Sequence, residues 1–150
     1  MQFKRMYSKE PVDLGSYLKQ VFEDDPRARF HVGCDSQNYS NVTVYVTTVV
    51  VRYPGSGARV VYQKEKKDKI TDMWSRLWRE LEKSVEVALY IENECGLKVH
   101  QLDLDYNEDP SYPSNKVLKA AGGYVSSLGF PVKAKPGMLM ATWAANVLCH

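Results

Sequence analysis

The sequence predicts an α/β fold on a five-stranded mixed sheet, three antiparallel strands then two parallel ones, with flanking helices. Three observations carry this. The run NVTVYVTTVVVRY (41–53) is dense in β-branched residues and lies between two further strand-like segments. A long amphipathic stretch, about 71–94, follows them. After it, short apolar segments alternate with helical ones, the order expected where a sheet continues with parallel strands.

Each element has a local reason. Val12, Leu14, Tyr17, Leu18, Val21 and Phe22 recur at helical spacing, with Asp13 near the start and Pro26 after the end, predicting a helix over about 12–24. Residues 29–36 read as the first strand and 41–53 as a central one. PGSG (54–57) turns the chain into an antiparallel return, 58–65. Trp74, Leu77, Trp78, Leu81, Val85, Ala88 and Leu89 form one stripe of the long helix, and Gly96 stops it. LKVHQLDLD (97–105) is the fourth strand, parallel to an earlier one because a helix precedes it. A helix from Ser114 to about Leu128 ends at Gly129; FPVKAK (130–135) is the fifth strand, and a last helix spans about 138–148.

Composition narrows the function classes. The 44% hydrophobic and 25% charged content is that of an ordinary globular chain, and 150 residues suit one domain over 1–150. No apolar run reaches membrane-span length, and MQFKRMYSKEPVD is polar and mixed in charge, unlike a secretory leader. Cys34, Cys95 and Cys149 are an odd count without CxxC spacing, which speaks against a disulfide framework or a zinc site and for a reducing, cytoplasmic setting. The glycines form neither a P-loop nor a dinucleotide fingerprint, so no nucleotide cofactor is expected. A net charge of +2 does not itself advertise nucleic-acid binding, although QKEKKDK (63–69) holds four lysines. Oligomeric state leaves no mark in the sequence.

The acids point to chemistry. Asp35 ends the first strand, and Asp103 with Asp105 ends the fourth. If these strands are parallel neighbours, their carboxylates emerge at one sheet edge, where mutual repulsion costs stability unless cations sit there. Oxygen ligands suit Mg²⁺ or Mn²⁺, and two such ions about 3.5–4 Å apart can activate water and stabilise the leaving oxygen of a phosphodiester. On the long helix, Glu80 is followed at i+4 and i+8 by the small residues Ser84 and Ala88, which permit close approach to a sheet; Glu82 and Glu86 are rivals by spacing.

With VGCDSQ (32–37), RLWRELEKSVEVA (76–88), LDLD (102–105), SNKVLK (114–119) and KAKPGMLMATWAAN (133–146), the chain resembles the ribonuclease H-like superfamily, and within it the bacterial YkuK family of predicted nucleases. The resemblance covers nearly everything from Arg29 onward. It implies a metal ligand at Asp35, the helix carboxylate at Glu80 and the fourth-strand carboxylate at Asp103, with Asp105 the alternative on the same strand face. Cys34 stands where the family more often has Thr and is expected to pack on the opposite face. Ala145-Asn146 stands where an Ala-Asp pair is expected, so one ligand brings no charge.

Ser36, Asn115, Lys116 and Lys135 are the residues expected to meet substrate: Lys135 at the exit of the fifth strand, and Asn115 and Lys116 at a helix N-terminus that favours anions. Trp74, Trp78 and Trp143 follow helical stripes and are expected in the core. The reading that follows is a nuclease using one or two Mg²⁺ or Mn²⁺ ions on RNA, DNA or a hybrid. The alternative is a non-catalytic nucleic-acid- or metal-binding protein of the same fold, favoured by Asn146.

Overall fold

The computed structural model describes residues 1–107, 109–135 and 139–150, with the side chains of Asn107 and Lys135 outside that description. A short hairpin, β1 (Gln2–Arg5) and β2 (Pro11–Asp13), leads into α1 (Leu14–Asp24). Three long strands follow: β3 (Arg29–Tyr39), β4 (Val42–Tyr53) and β5 (Gly57–Asp68). Then come α2 (Met73–Leu89), extended by a wider π-helical turn over Tyr90–Glu94, β6 (Gln101–Asn107), α3 (Asn115–Ser127), β7 (Val132–Lys135) and α4 (Met140–Cys149).

The sheet has seven strands in the order β2-β1-β5-β4-β3-β6-β7, not the five expected. The five expected strands are present, with β3, β4 and β5 antiparallel and β6 and β7 parallel, and the β1–β2 hairpin is added at the β5 edge. QFKR and PVD are too short to show an alternating pattern, and only Phe3 is buried in them. Val12, counted in the sequence as helical, instead pairs with Phe3, and α1 starts two residues later. Asp13 caps it, its Oδ2 accepting from the Ser16 amide at 3.0 Å.

Strand alternation divides the molecule into two unequal layers. The even-numbered residues of β3 and β6, including Phe30, Val32, Leu102 and Leu104, join the main core with Leu14, Leu18, Leu81, Val85, Ala88 and Val117 from α1, α2 and α3. The odd-numbered residues face α4, whose buried side is built from Ala141, Ala144, Ala145 and Cys149 against the valines of β4. Small residues on α4 let it lie close to the sheet. The tightest point is Gly33, where an added Cβ would stand 2.9 Å from Ala141 Cβ and 3.0 Å from the Thr142 amide nitrogen.

Two of the three indoles expected in the core are exposed. Trp143 is 64% and Trp74 44% accessible, while Trp78 packs partly against the main core. Trp74 lies in the first turn of α2 and Trp143 on the outer side of α4, and periodicity alone does not register either position.

Gly33→Ala should destabilise the protein by about 1–3 kcal/mol, because the new methyl meets helix backbone that cannot rotate away. Urea unfolding measures this; an unchanged midpoint would mean that α4 is not seated as described.

Candidate active site

The parallel ladder between β3 and β6 runs from His31–Gln101 through Gly33–Asp103. Two residues further along each strand, on the face shared with Gly33 and Asp103, come Asp35 and Asp105. The β3–β6 ladder has ended here, where α/β sheets open a crevice, although β3 does not stop at Asp35 as expected but runs on to Tyr39, held by β4.

Among the described residues four carboxylates lie in this region, and their partners differ. Asp103 is buried and committed to holding α4. Its Oδ2 accepts from the Ala141 amide at 2.9 Å, and its Oδ1 accepts from Gln101 Nε2. The first turn of α4 has no local side-chain cap, so Asp103 satisfies one of its open N–H groups from another element. Burial raises the Asp103 pKa, while the bonds from Gln101 and from the Ala141 and Thr142 amides lower it, as does the nearby Lys133 charge. Thr48 completes the clasp by donating to the Ala141 carbonyl at 2.6 Å.

Asp35 and Glu80 instead feel neighbouring acids. Burial is the largest cause of the raised Asp35 pKa, opposed by the hydrogen bond from Asn146 and reinforced by the Asp105 charge. Glu80 is pushed well above the ordinary carboxylate range by burial, with the charges of Asp35 and then Asp105 adding to it. The Ser36 hydroxyl bond and the Arg76 guanidinium work in the other direction. Thus Asp105, offered in the sequence only as an alternative, is the β6 acid that shares a field with Asp35 and Glu80.

The partners of each group are specific. Asn146 Nδ2 donates to Asp35 Oδ2 at 2.8 Å, which brings the last helix to the acid predicted to need it. Ser36, on the opposite strand face, donates to Glu80 Oε2 at 2.5 Å. Behind it, Arg76 donates to the Ser36 hydroxyl at 2.9 Å and to its carbonyl at 3.1 Å. Ser36 is therefore buried between an acid and a guanidinium rather than turned toward an incoming ligand. Arg76 was not singled out from the sequence; its spacing of i−4 from Glu80 is the signal that places both on one helix face.

Among the rivals on α2, Glu82 is exposed and paired with Arg79 at 3.1 Å, and Glu86 is exposed. Glu80 is the buried one, with Ser84 and Ala88 buried below it as their size allows. Cys34 packs on the α2 face as expected, accepting from Thr47 Oγ1 at 3.5 Å, and burial raises its thiol pKa. Asn115, buried, and Lys116, exposed, open α3 beyond the loop that leaves β6. Lys135 closes β7, but its side chain lies outside the described residues.

The model for the family described as Ribonuclease H-like matches residues 14–149. The chain belongs to the ribonuclease H-like family. That membership agrees with the mixed sheet and helices above and points to nuclease-like chemistry, in a family that generally uses divalent metal ions. No curated protein and no solved structure matches the chain. No helix among the described residues is long and apolar enough to cross a membrane.

The fit of this site to a divalent ion can be judged from its donors. Asp35, Glu80 and Asp105 offer oxygen atoms, and a cation would relieve the burial and neighbouring charge that raise the pKa values of Asp35 and Glu80. As the side chains stand, no three acidic, His or Cys groups among the described residues close around a single point. Asp35 is turned toward Asn146 and Glu80 toward Ser36. The donor chemistry fits a hard divalent ion, with rotation of these side chains required to enclose one.

The metal-free protein should become more stable when one of these charges is removed. A raised carboxylate pKa means that the unfolded chain ionises first, so stability declines as pH rises from the ordinary Glu value through the folded one. Glu80→Gln keeps an acceptor for Ser36 and removes that decline; relief of about 1 kcal/mol would raise Tm by about 2–4 °C at neutral pH. Thermal scans in EDTA across pH check this, and a lower Tm at every pH would refute it.

Proposed function

We propose that this chain is a metal-dependent nuclease that hydrolyses phosphodiester bonds of RNA, DNA or a hybrid, in the manner of the YkuK-like branch of its family. The observation that carries the reading is the gathering of Asp35, Glu80 and Asp105 just past the β3–β6 ladder of a ribonuclease H-like chain, where the Asp105 charge acts on Asp35 and the Asp35 and Asp105 charges act on Glu80. Burying Asp35 and Glu80 within reach of one another's charge costs stability, which marks the place as functional.

In this reading Asp35 and Asp105, on adjacent strands, and Glu80, from α2, hold the divalent ion. When bound, Mg²⁺ or Mn²⁺ would lower the pKa of a water and stabilise charge on the phosphoryl oxygens. Ser36 sets the direction of the Glu80 carboxylate, and Arg76 fixes Ser36 while offsetting part of the negative field. Asn146 holds Asp35 in one orientation and offers an amide oxygen after rotation. Asp103 is a positioning residue: it seats the helix that carries Asn146. Asn115, Lys116 and Lys135 remain proposed phosphate contacts at the same end of the sheet.

A second reading has one observation in its favour. An amide at 146 leaves the acid group one charge short of the expected family pattern, which suits a protein that binds metal or nucleic acid without cutting it. Labelled RNA, DNA and hybrid substrates incubated with Mg²⁺ or Mn²⁺ separate the two readings.

Asp105→Asn should reduce cleavage by about 100-fold, as loss of a metal ligand does, while Asp103→Asn should lose mainly stability, about 1 kcal/mol, by weakening the α4 cap. The reverse ranking in the cleavage assay would return the β6 ligand to Asp103. Asn146→Asp should lower the Tm of the metal-free protein, because a donor to Asp35 is replaced by a like charge. It should also enlarge the Tm rise on adding Mn²⁺, since a ligand of the folded state stabilises it by mass action. An unchanged Mn²⁺ titration would put Asn146 outside the site.

A further inference from the structure

The outer side of α2 carries a feature that the carboxylate site does not use. Trp74 and Trp78, one turn apart, stack with ring centroids 6.1 Å apart and planes 4° from parallel. Tyr124 of α3 continues the stack on Trp78, at 5.9 Å and 28°. Both ends are open, Trp74 being 44% and Tyr124 40% exposed. Beside the stack lies a groove of about 640 Å³ whose walls include Trp74, Trp78, Arg79, Lys67 and Tyr45. Tyr45 is fully buried, yet its hydroxyl meets no hydrogen-bond partner among the described residues. Rings recruited for stability bury their faces in the core, and buried hydroxyls are normally paired; this groove departs from both rules.

We propose that the groove is a stacking platform for the bases of a single-stranded nucleic acid. Parallel aromatic planes with open ends accept further flat rings, and every base offers one whatever its sequence. The charges on the groove wall balance, Lys67 and Arg79 against Asp68 and Glu82. Lys67 is paired with Glu65 and Arg79 with Glu82, so stacking rather than charge carries most of the binding. Paired bases hide their faces, which is why the occupant is a single strand and not a duplex. The inference deepens the nuclease reading and rests on it for substrate class: α2 carries Arg76 and Glu80 toward Asp35 and the two indoles on another of its sides.

The test uses labelled oligo(dT) and oligo(U) of about 15 nucleotides, within the span of known single-strand sites, in EDTA so that nothing is cleaved. A duplex of equal length is the comparison, and binding is read by anisotropy and by quenching of tryptophan fluorescence. Single strands should bind more tightly than duplex and quench the signal. Trp74→Ala and Tyr124→Ala, both at exposed positions that folding tolerates, should each weaken binding by about 5- to 100-fold. Trp74→Phe should retain most of it, and Trp143→Ala, on the opposite face of the sheet, should match the parent. Parental affinity in both Trp74→Ala and Tyr124→Ala, or no binding of either strand by the parent, would overturn the platform. Ladder variants that lose binding in a protein that cuts nothing leave the platform standing and remove hydrolysis. Cleavage by a protein whose ladder variants bind normally removes the platform alone.

Discussion

Gly33 has no side chain, and α4 can therefore descend on β3 until its Ala141 and Thr142 lie within contact distance of that residue's backbone. The acid end of the sheet depends on this approach. It brings the Ala141 amide within reach of Asp103 and the Ala141 carbonyl within reach of Thr48. With the first turn held at those points, the helix carries Asn146 to Asp35 on the same face. A side chain at 33 would lift the whole helix, so the register of Asn146 against Asp35 is set by an absence of atoms on a neighbouring strand.

The energetic cost of that end is met on the other face. Burial and neighbouring acids disfavour the charged forms of Asp35 and Glu80, and their hydrogen bonds from Asn146 and Ser36 offset this only in part. The main core of α1, α2 and α3 against β3 and β6 supplies apolar burial in which no such conflict arises. The two sides of one strand thus do different work. Phe30, Val32 and Cys34 hold the sheet, while Asp35, immediately after them, sits where the β3–β6 ladder no longer runs.

Helix α2 links these layers. Leu81, Val85 and Ala88 seat it, Glu80 and Arg76 reach Ser36 at the acid end, and Lys83 is buried against Glu65 and over the Tyr45 ring at 5.4 Å. The Lys83 bond, with Lys67 assisting, holds the Glu65 pKa down to about 2. The ion pair, buried at Lys83 and partly open at Glu65, fixes the rotation of α2 about its own axis. That rotation decides that Glu80 points inward, Glu82 meets Arg79, and the Trp74–Trp78 stack faces out.

Much of this architecture was legible because it is written in local patterns. The β-branched density of 41–53, the stripe of 71–94 and the glycine stops at 96 and 129 depend only on near neighbours, and they gave the five core strands and four helices. Asp35 and Glu80 could be singled out for the same reason, one by an acid following an apolar run, although its strand continues to Tyr39, the other by the small residues that follow it on a helix. What lay beyond the sequence was every choice between chemically equal residues. Asp103 and Asp105 share a strand face and a residue type, and only the height at which α4 meets the sheet makes one a helix cap and leaves the other beside Asp35. The β1–β2 hairpin, the burial of Ser36 under Arg76 and the exposure of Trp74 and Trp143 are of the same kind. Each is fixed by long-range contacts, in which the partner is supplied by chain folding rather than by spacing along the chain.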